Sequence, residues 1–216
     1  MKIFKIIVLF TILIYLNSCE KESIVDVPTE NKDVTTENLV TEMNIARTNP
    51  KLYVEILKEF KKYFINDMQY KNSEGITYNT SEGISAVNEA IAIFENLQPT
   101  TTLIADINLD KPAKYHREDT GPKGIFGHEG SNGEKFVDRF QRYMIFNGLI
   151  GENISYGSST TRDIILQLIV DDGVSSRGHR DNILNPKFKY CGTAFGYHSQ
   201  YNNMCVLVYS ETNIPK

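Results

Sequence analysis

Four histidines, His116, His128, His179 and His198, are the side chains best suited to proton transfer or metal binding in this 216-residue sequence. No two stand at i, i+4, and there is no HExxH, CxxC or phosphate-loop motif, so local spacing alone points to neither a metal nor a nucleotide. His116 falls in a helical stretch and reads as a packed or half-exposed residue. His198 falls at a hairpin tip with no visible partner. His128 and His179 differ, because glycines flank them in Gly127-His128-Glu129-Gly130 and Gly178-His179-Arg180. Glycine removes bulk and permits tight turns, which suits an imidazole aimed into a cleft. Glu152, in Gly151-Glu152-Asn153, shares that setting. Imidazoles beside a carboxylate can hold a divalent cation, exchange protons or form a buried hydrogen-bond network, and local context leaves these open. Ser131, three residues after His128, can be cast as a nucleophile with His128 and Glu152, which would make the chain a hydrolase.

The three cysteines divide by position. Lys2 and Lys5 precede an apolar run from Ile6 to Leu16, too short to span a bilayer, for which about 20 residues are needed, so a secretory leader is expected. The run ends in Leu16-Asn17-Ser18-Cys19, which resembles a bacterial lipobox, although Asn17 departs from the usual residue there. Cys19 is then the lipidated N-terminus, residues 1–18 are the removed leader, and the net charge of −4 becomes −6. Cys191 and Cys205 remain as an even pair, in keeping with an oxidising compartment. They lie symmetrically about residue 198, so strands paired across a turn there would bring them together as a disulfide.

The elements that must position these residues follow from composition and period. Hydrophobic residues make up 41% of the chain and aromatics 11%, enough for a core and too many for disorder. No Lys/Arg stripe occurs, which argues against nucleic acid as a partner. Residues 19–35 are polar and read as a flexible tether. Helices are expected from Thr36, as cap, to Arg47, over 51–64, 81–97 and 109–119, over 134–143 and, behind the Thr160/Asp163 capping pair, over 162–170. The last is apolar on nearly every side. Residues 66–80 and 120–133 read as loops. Strands are expected over 151–157, 190–197 and 204–209, the last two joined by a turn at 199–203. This pattern is α+β, with helices packed on a small, mostly antiparallel sheet.

With those elements in place, five segments resemble the CAP superfamily (SCP-like; cysteine-rich secretory, antigen-5 and pathogenesis-related proteins). They are Met43 to Arg47 with Pro50; Gly127 to Gly133 followed by Arg139 and Tyr143; Gly151 to Gly157; Asp171 to Leu184; and Met204 to Val208. The resemblance covers about residues 36–211, leaving 212–216 as a tail. It implies a three-layer α-β-α sandwich with an open groove holding two histidines and two acids. These map onto His128, His179, Glu152 and Asp171, with Asp172 the adjacent alternative to Asp171. The family usually has glutamate at that last position, so this chain is one carbon shorter there. A cation such as zinc, held by His128, His179 and Glu152, is the one cofactor the resemblance suggests. The expected function is an extracellular binding module rather than an enzyme, taking a lipid, peptide, glycan or metal. Its setting is the bacterial cell envelope, with the membrane as partner through the lipid anchor.

Overall fold

Tyr53, Ile56, Leu57 and Phe60 recur at helical spacing behind a proline, and that run is a helix in the computed structural model, which describes residue 27 and residues 33–72 and 75–216. The leader, Cys19 and nearly all of the 19–35 tether lie outside the described residues. The helices are α1 (Thr36–Thr48), α2 (Pro50–Lys61), α3 (Ile84–Asn96), α4 (Ile107–Thr120), α5 (Phe136–Gln141), α6 (Thr161–Val170) and α7 (Gly178–Leu184). The strands are β1 (Phe64–Asn66), β2 (Gln69–Lys71), β3 (Thr77–Asn79), β4 (Ile104–Ala105), β5 (Ile150–Tyr156), β6 (Tyr190–His198) and β7 (Asn202–Ser210). Thr35, not Thr36, caps α1 by accepting from the Asn38 N–H, which frees the Thr36 hydroxyl to donate to Asp110. Thr160 caps α6, accepting from the Asp163 N–H. Val27 and Val34, inside the expected tether, pack against the core, and Thr161 donates to the Asp33 carbonyl.

The principal sheet has the order β4-β6-β7-β5, antiparallel except for β4, which runs parallel to β6. Side chains alternate across it because strand residues point to opposite faces in turn. Cys191, Cys205, Leu207 and Tyr209 face a core built with α1, α2, α3 and α6. Met204, Val206 and Val208 face a second core with Leu109 and Ala113 of α4 and Phe140 of α5. The molecule is therefore α+β, a sheet between two helical layers. Helix α4 lies hard against β6 at Gly192, where a Cβ would collide with the Leu109 backbone.

Two further expectations fail here. Residues 66–80, read as loop, form most of a second antiparallel sheet, β1-β2-β3, whose Phe64, Tyr70 and Tyr78 pack together. The expected Cys191–Cys205 disulfide is absent, and both are buried free thiols. Register is the reason. Cys191 pairs with Tyr209 and Cys205 with Phe195, because the turn closes at 199–201, with Asn202 left-handed at φ 64°. The cysteines thus stand four residues apart along the ladder, about 13 Å, well beyond disulfide reach.

Candidate functional site

His128 sits on the loop between α4 and α5, and Glu152 on β5, the edge strand, with its side chain 2% exposed. His128 Nδ1 lies 2.9 Å from Glu152 Oε1. The other carboxylate oxygen accepts from Arg139 Nη2 at 2.6 Å, and Arg139 is fully buried. Arg139 Nη1 also donates to the His128 carbonyl at 3.3 Å, so one guanidinium fixes both members of the pair. The loop itself is pinned at Gly127. His116 Nε2 donates to its carbonyl at 2.9 Å, and its N–H donates to the Tyr156 hydroxyl at 3.0 Å. The φ of Gly127 is +88°, a conformation that side chains resist, and this accounts for glycine before the histidine. Burial lowers the pKa of His116, in keeping with a neutral ring.

A second pair forms on the other flank of β5. Asp171 closes α6 in the left-handed conformation, φ 56°, with its side chain 2% exposed. Its carboxylate lies 2.6 Å from His179 Nδ1 and accepts the N–H groups of His179 at 2.9 Å and Arg180 at 3.3 Å, at the start of α7. One short side chain thus orients the imidazole and satisfies helix-terminal donors. Asn153, one residue after Glu152, donates to the His179 carbonyl at 2.9 Å and ties the second pair to the same strand. Asp172 does not share this work. Its oxygens accept from the N–H groups of Ser81, Glu82 and Gly83 at the entry to α3, so Asp171 is the second acid.

A cavity of about 130 Å³ runs along the β5 edge, lined by Ile154, Tyr156, Gln167, Asp171 and His179 among others. His179 reaches it, whereas His128 stands beyond its lining with its side chain 52% exposed. Carboxylates accept hydrogen bonds and cannot donate them when ionised, so each partnered Nδ1 carries the proton and each neutral ring keeps a bare Nε2. The site offers two oriented acceptor nitrogens. Both oxygens of Glu152 are hydrogen-bonded, one to His128 and the other to Arg139. No group of three His, Cys, Asp or Glu among the described residues is arranged to hold a metal ion.

The catalytic alternative fares no better. The Ser131 hydroxyl donates to Asp119 at 2.6 Å and accepts from Lys123 at 2.6 Å, so it is engaged by these two groups rather than by His128. Burial works against the Asp119 charge, but hydrogen bonds from Lys123 and Ser131 hold its carboxyl down to about 2. Ser131 is a loop fastener. His198 is buried, and its Nδ1 accepts from the N–H groups of Gln200 and Tyr201, which makes it a turn residue. Sequence reasoning gave no role to Arg139 or His116, whose partners are remote along the chain or backbone atoms.

Two histidine–carboxylate pairs flanking an edge strand, within a helix–sheet–helix sandwich, define a class of domain that sequence comparison identifies. The profile of the Cysteine-rich secretory protein family (CAP) matches residues 84–209, and the chain belongs to that family. It is 28% identical over 123 residues to the uncharacterized protein YkwD of Bacillus subtilis (strain 168), covering 55% of this chain and 46% of that protein. The chain therefore spans about half the length of this curated relative. Among solved structures, an extracellular protein containing a SCP domain from Bacillus anthracis str. Ames is 24% identical, with a TM-score of 0.39. That match covers 60% of this chain and 38% of the other. An outer surface protein from Borrelia burgdorferi is 16% identical, covers 70% of this chain and 100% of its own, and has a TM-score of 0.44.

Proposed function

We propose that this is an exported, lipid-anchored CAP domain of a bacterial cell envelope, acting as a binding module through the groove along β5. One observation carries the reading: two imidazoles are locked through Nδ1 by buried carboxylates while their Nε2 atoms remain for a ligand. Such preorganisation favours recognition of a ligand bearing N–H or O–H donors, because the ordering cost is met before binding. Ser131, the nucleophile the hydrolase reading needs, has its hydroxyl committed to Asp119. The anchor reading rests on the leader pattern ending at Cys19.

The test compares the full-length protein with a His128→Ala/His179→Ala variant against peptides, oligosaccharides, lipid vesicles and zinc, alongside ester and peptide substrates. At least one binder is expected to stabilise the wild type alone, with no turnover of any substrate. Turnover that disappears in the double variant would replace the binding module with an enzyme. For the anchor, Cys19→Ser is expected to shift the protein from detergent to aqueous fractions, because two acyl chains are what give durable attachment. Unchanged partitioning would remove the lipid from the proposal.

A further inference from the structure

A second cavity, of about 120 Å³, lies between the β1-β2-β3 sheet and α6. Its aromatic wall is Phe60, Phe64, Tyr70 and Tyr78, and all four residues precede the 84–209 stretch that matches the family. The rings form one cluster: Tyr70 stacks on Tyr78 at 5.2 Å, and Phe60 meets Tyr70 edge-on at 4.9 Å. Tyr78 is held in place from below, its hydroxyl donating to the Gly157 carbonyl at 3.3 Å. Leu166 and Val170 of α6 close the far side.

Charge decides what such a chamber would take. Among the described residues, Asp172 is the one ionisable acid or base in the lining besides the two tyrosines, and no lysine or arginine lines this cavity or the adjoining one at His179. The neighbouring cavity adds Asp171, and the two share Gln167 and Asp172. Burial first, then Tyr78 and the charges of Asp163 and Asp172, push the Tyr70 hydroxyl up, so this phenol stays neutral and its ring keeps a negative face. Hydrogen-bonding capacity, by contrast, is largely spent. Asp172 accepts three backbone N–H groups, Thr80 donates to the Met68 carbonyl, and Gln167 is engaged by Ser155 and the Tyr156 carbonyl. A primary ammonium or a guanidinium would lose water here and regain few acceptors, the Tyr70 hydroxyl chief among them. A quaternary ammonium makes no such demand, because it binds through the aromatic quadrupoles and the nearby negative charge. The volume suits one small branched head, being of the order of cavities, roughly 150 Å³, that accept a single ring.

We infer that the chamber between the β1-β2-β3 sheet and α6 is a binding site for a quaternary ammonium group of the choline type. It adjoins the histidine groove, with which it shares Gln167 and Asp172, and does not depend on that groove's proposed role.

The test is titration of the full-length chain, held in a maltoside detergent, with choline and with 3,3-dimethylbutan-1-ol, its uncharged isostere. Choline is expected to bind about tenfold more tightly than the isostere. Tyr78→Phe keeps the ring and should keep the affinity. Tyr78→Leu and Asp172→Asn should each weaken choline severalfold, with folding of each checked by circular dichroism. His128→Ala, at a residue that lines neither cavity, should leave choline binding unchanged, which separates failure of this site from failure of the groove. Absence of choline binding at millimolar concentration, equal affinity for the isostere, or full affinity in a folded Tyr78→Leu protein would each overturn the assignment.

Discussion

Glu152 is the residue on which the first histidine pair turns, and its cost is electrostatic. A carboxylate with 2% of its side chain exposed survives only because a fully buried Arg139 faces it at 2.6 Å. Removing one partner of a buried pair leaves a charge without compensation, typically a loss of about 3–5 kcal/mol. Arg139→Met is therefore expected to lower stability by about that amount in urea denaturation. The double variant Arg139→Met/Glu152→Gln should recover a substantial part, since no buried charge then remains. A single variant within about 1 kcal/mol of wild type would show that water or His128 already screens Glu152. His128, His179 and Glu152 were legible as candidates from their glycine settings, and Asp171 only through the family pattern. Arg139 stood in the sequence without a role, because its partner lies 13 residues away on another element.

At the scale of elements, α3 is tied to the α6–α7 segment by charge as well as packing. Arg177 donates to Glu82 and Glu89, and Arg180 donates to Glu89 while its other groups cap the α6 carbonyls of Ile169 and Val170. The Arg177 hydrogen bond is the main cause that holds the Glu82 carboxyl down to about 2, and Arg177 followed by Arg180 does the same for Glu89. Both folded values lie below the ordinary 4.5, so the unfolded chain takes up protons first as pH falls. The network's contribution is whole above about pH 4.5 and is lost as pH falls from there towards 2. Melting temperature is expected to decline across that window in wild type and less steeply in Arg177→Gln. Equal acid slopes would show that the network adds nothing to folding. These arginines were legible only as members of the Asp171 to Leu184 segment, since their partners, Glu82 just before α3 and Glu89 on it, lie about 90 residues upstream.

The whole molecule shows why the order of elements was readable while register was not. Helical period and strand alternation are local, so the amphipathic helices and the two long closing strands stand close to their expected bounds. The β1-β2-β3 sheet has strands of three residues with mostly exposed side chains, too short for any period to declare itself. Register is a global property, set here by the turn at 199–201 and by the matching of β7 to both β6 and β5. Bringing Cys191 opposite Cys205 requires a four-residue slide of β6 along β7. Such a slide keeps every side chain on its face but dismantles the ladder and the Gly192 contact with α4. Both thiols therefore stay reduced even in an oxidising compartment. Burial pushes both of their pKa values up, which removes the thiolate that alkylation needs. Iodoacetamide is expected to leave Cys191 and Cys205 unmodified in the folded protein and to label both in denaturant without prior reduction, read by peptide mass spectrometry. Labelling that appears only after reduction would mean a bond between them and a different register. Labelling of Cys205 in the native state would mean that the sheet opens on the α1–α6 side, since Cys205 is wholly buried in that core.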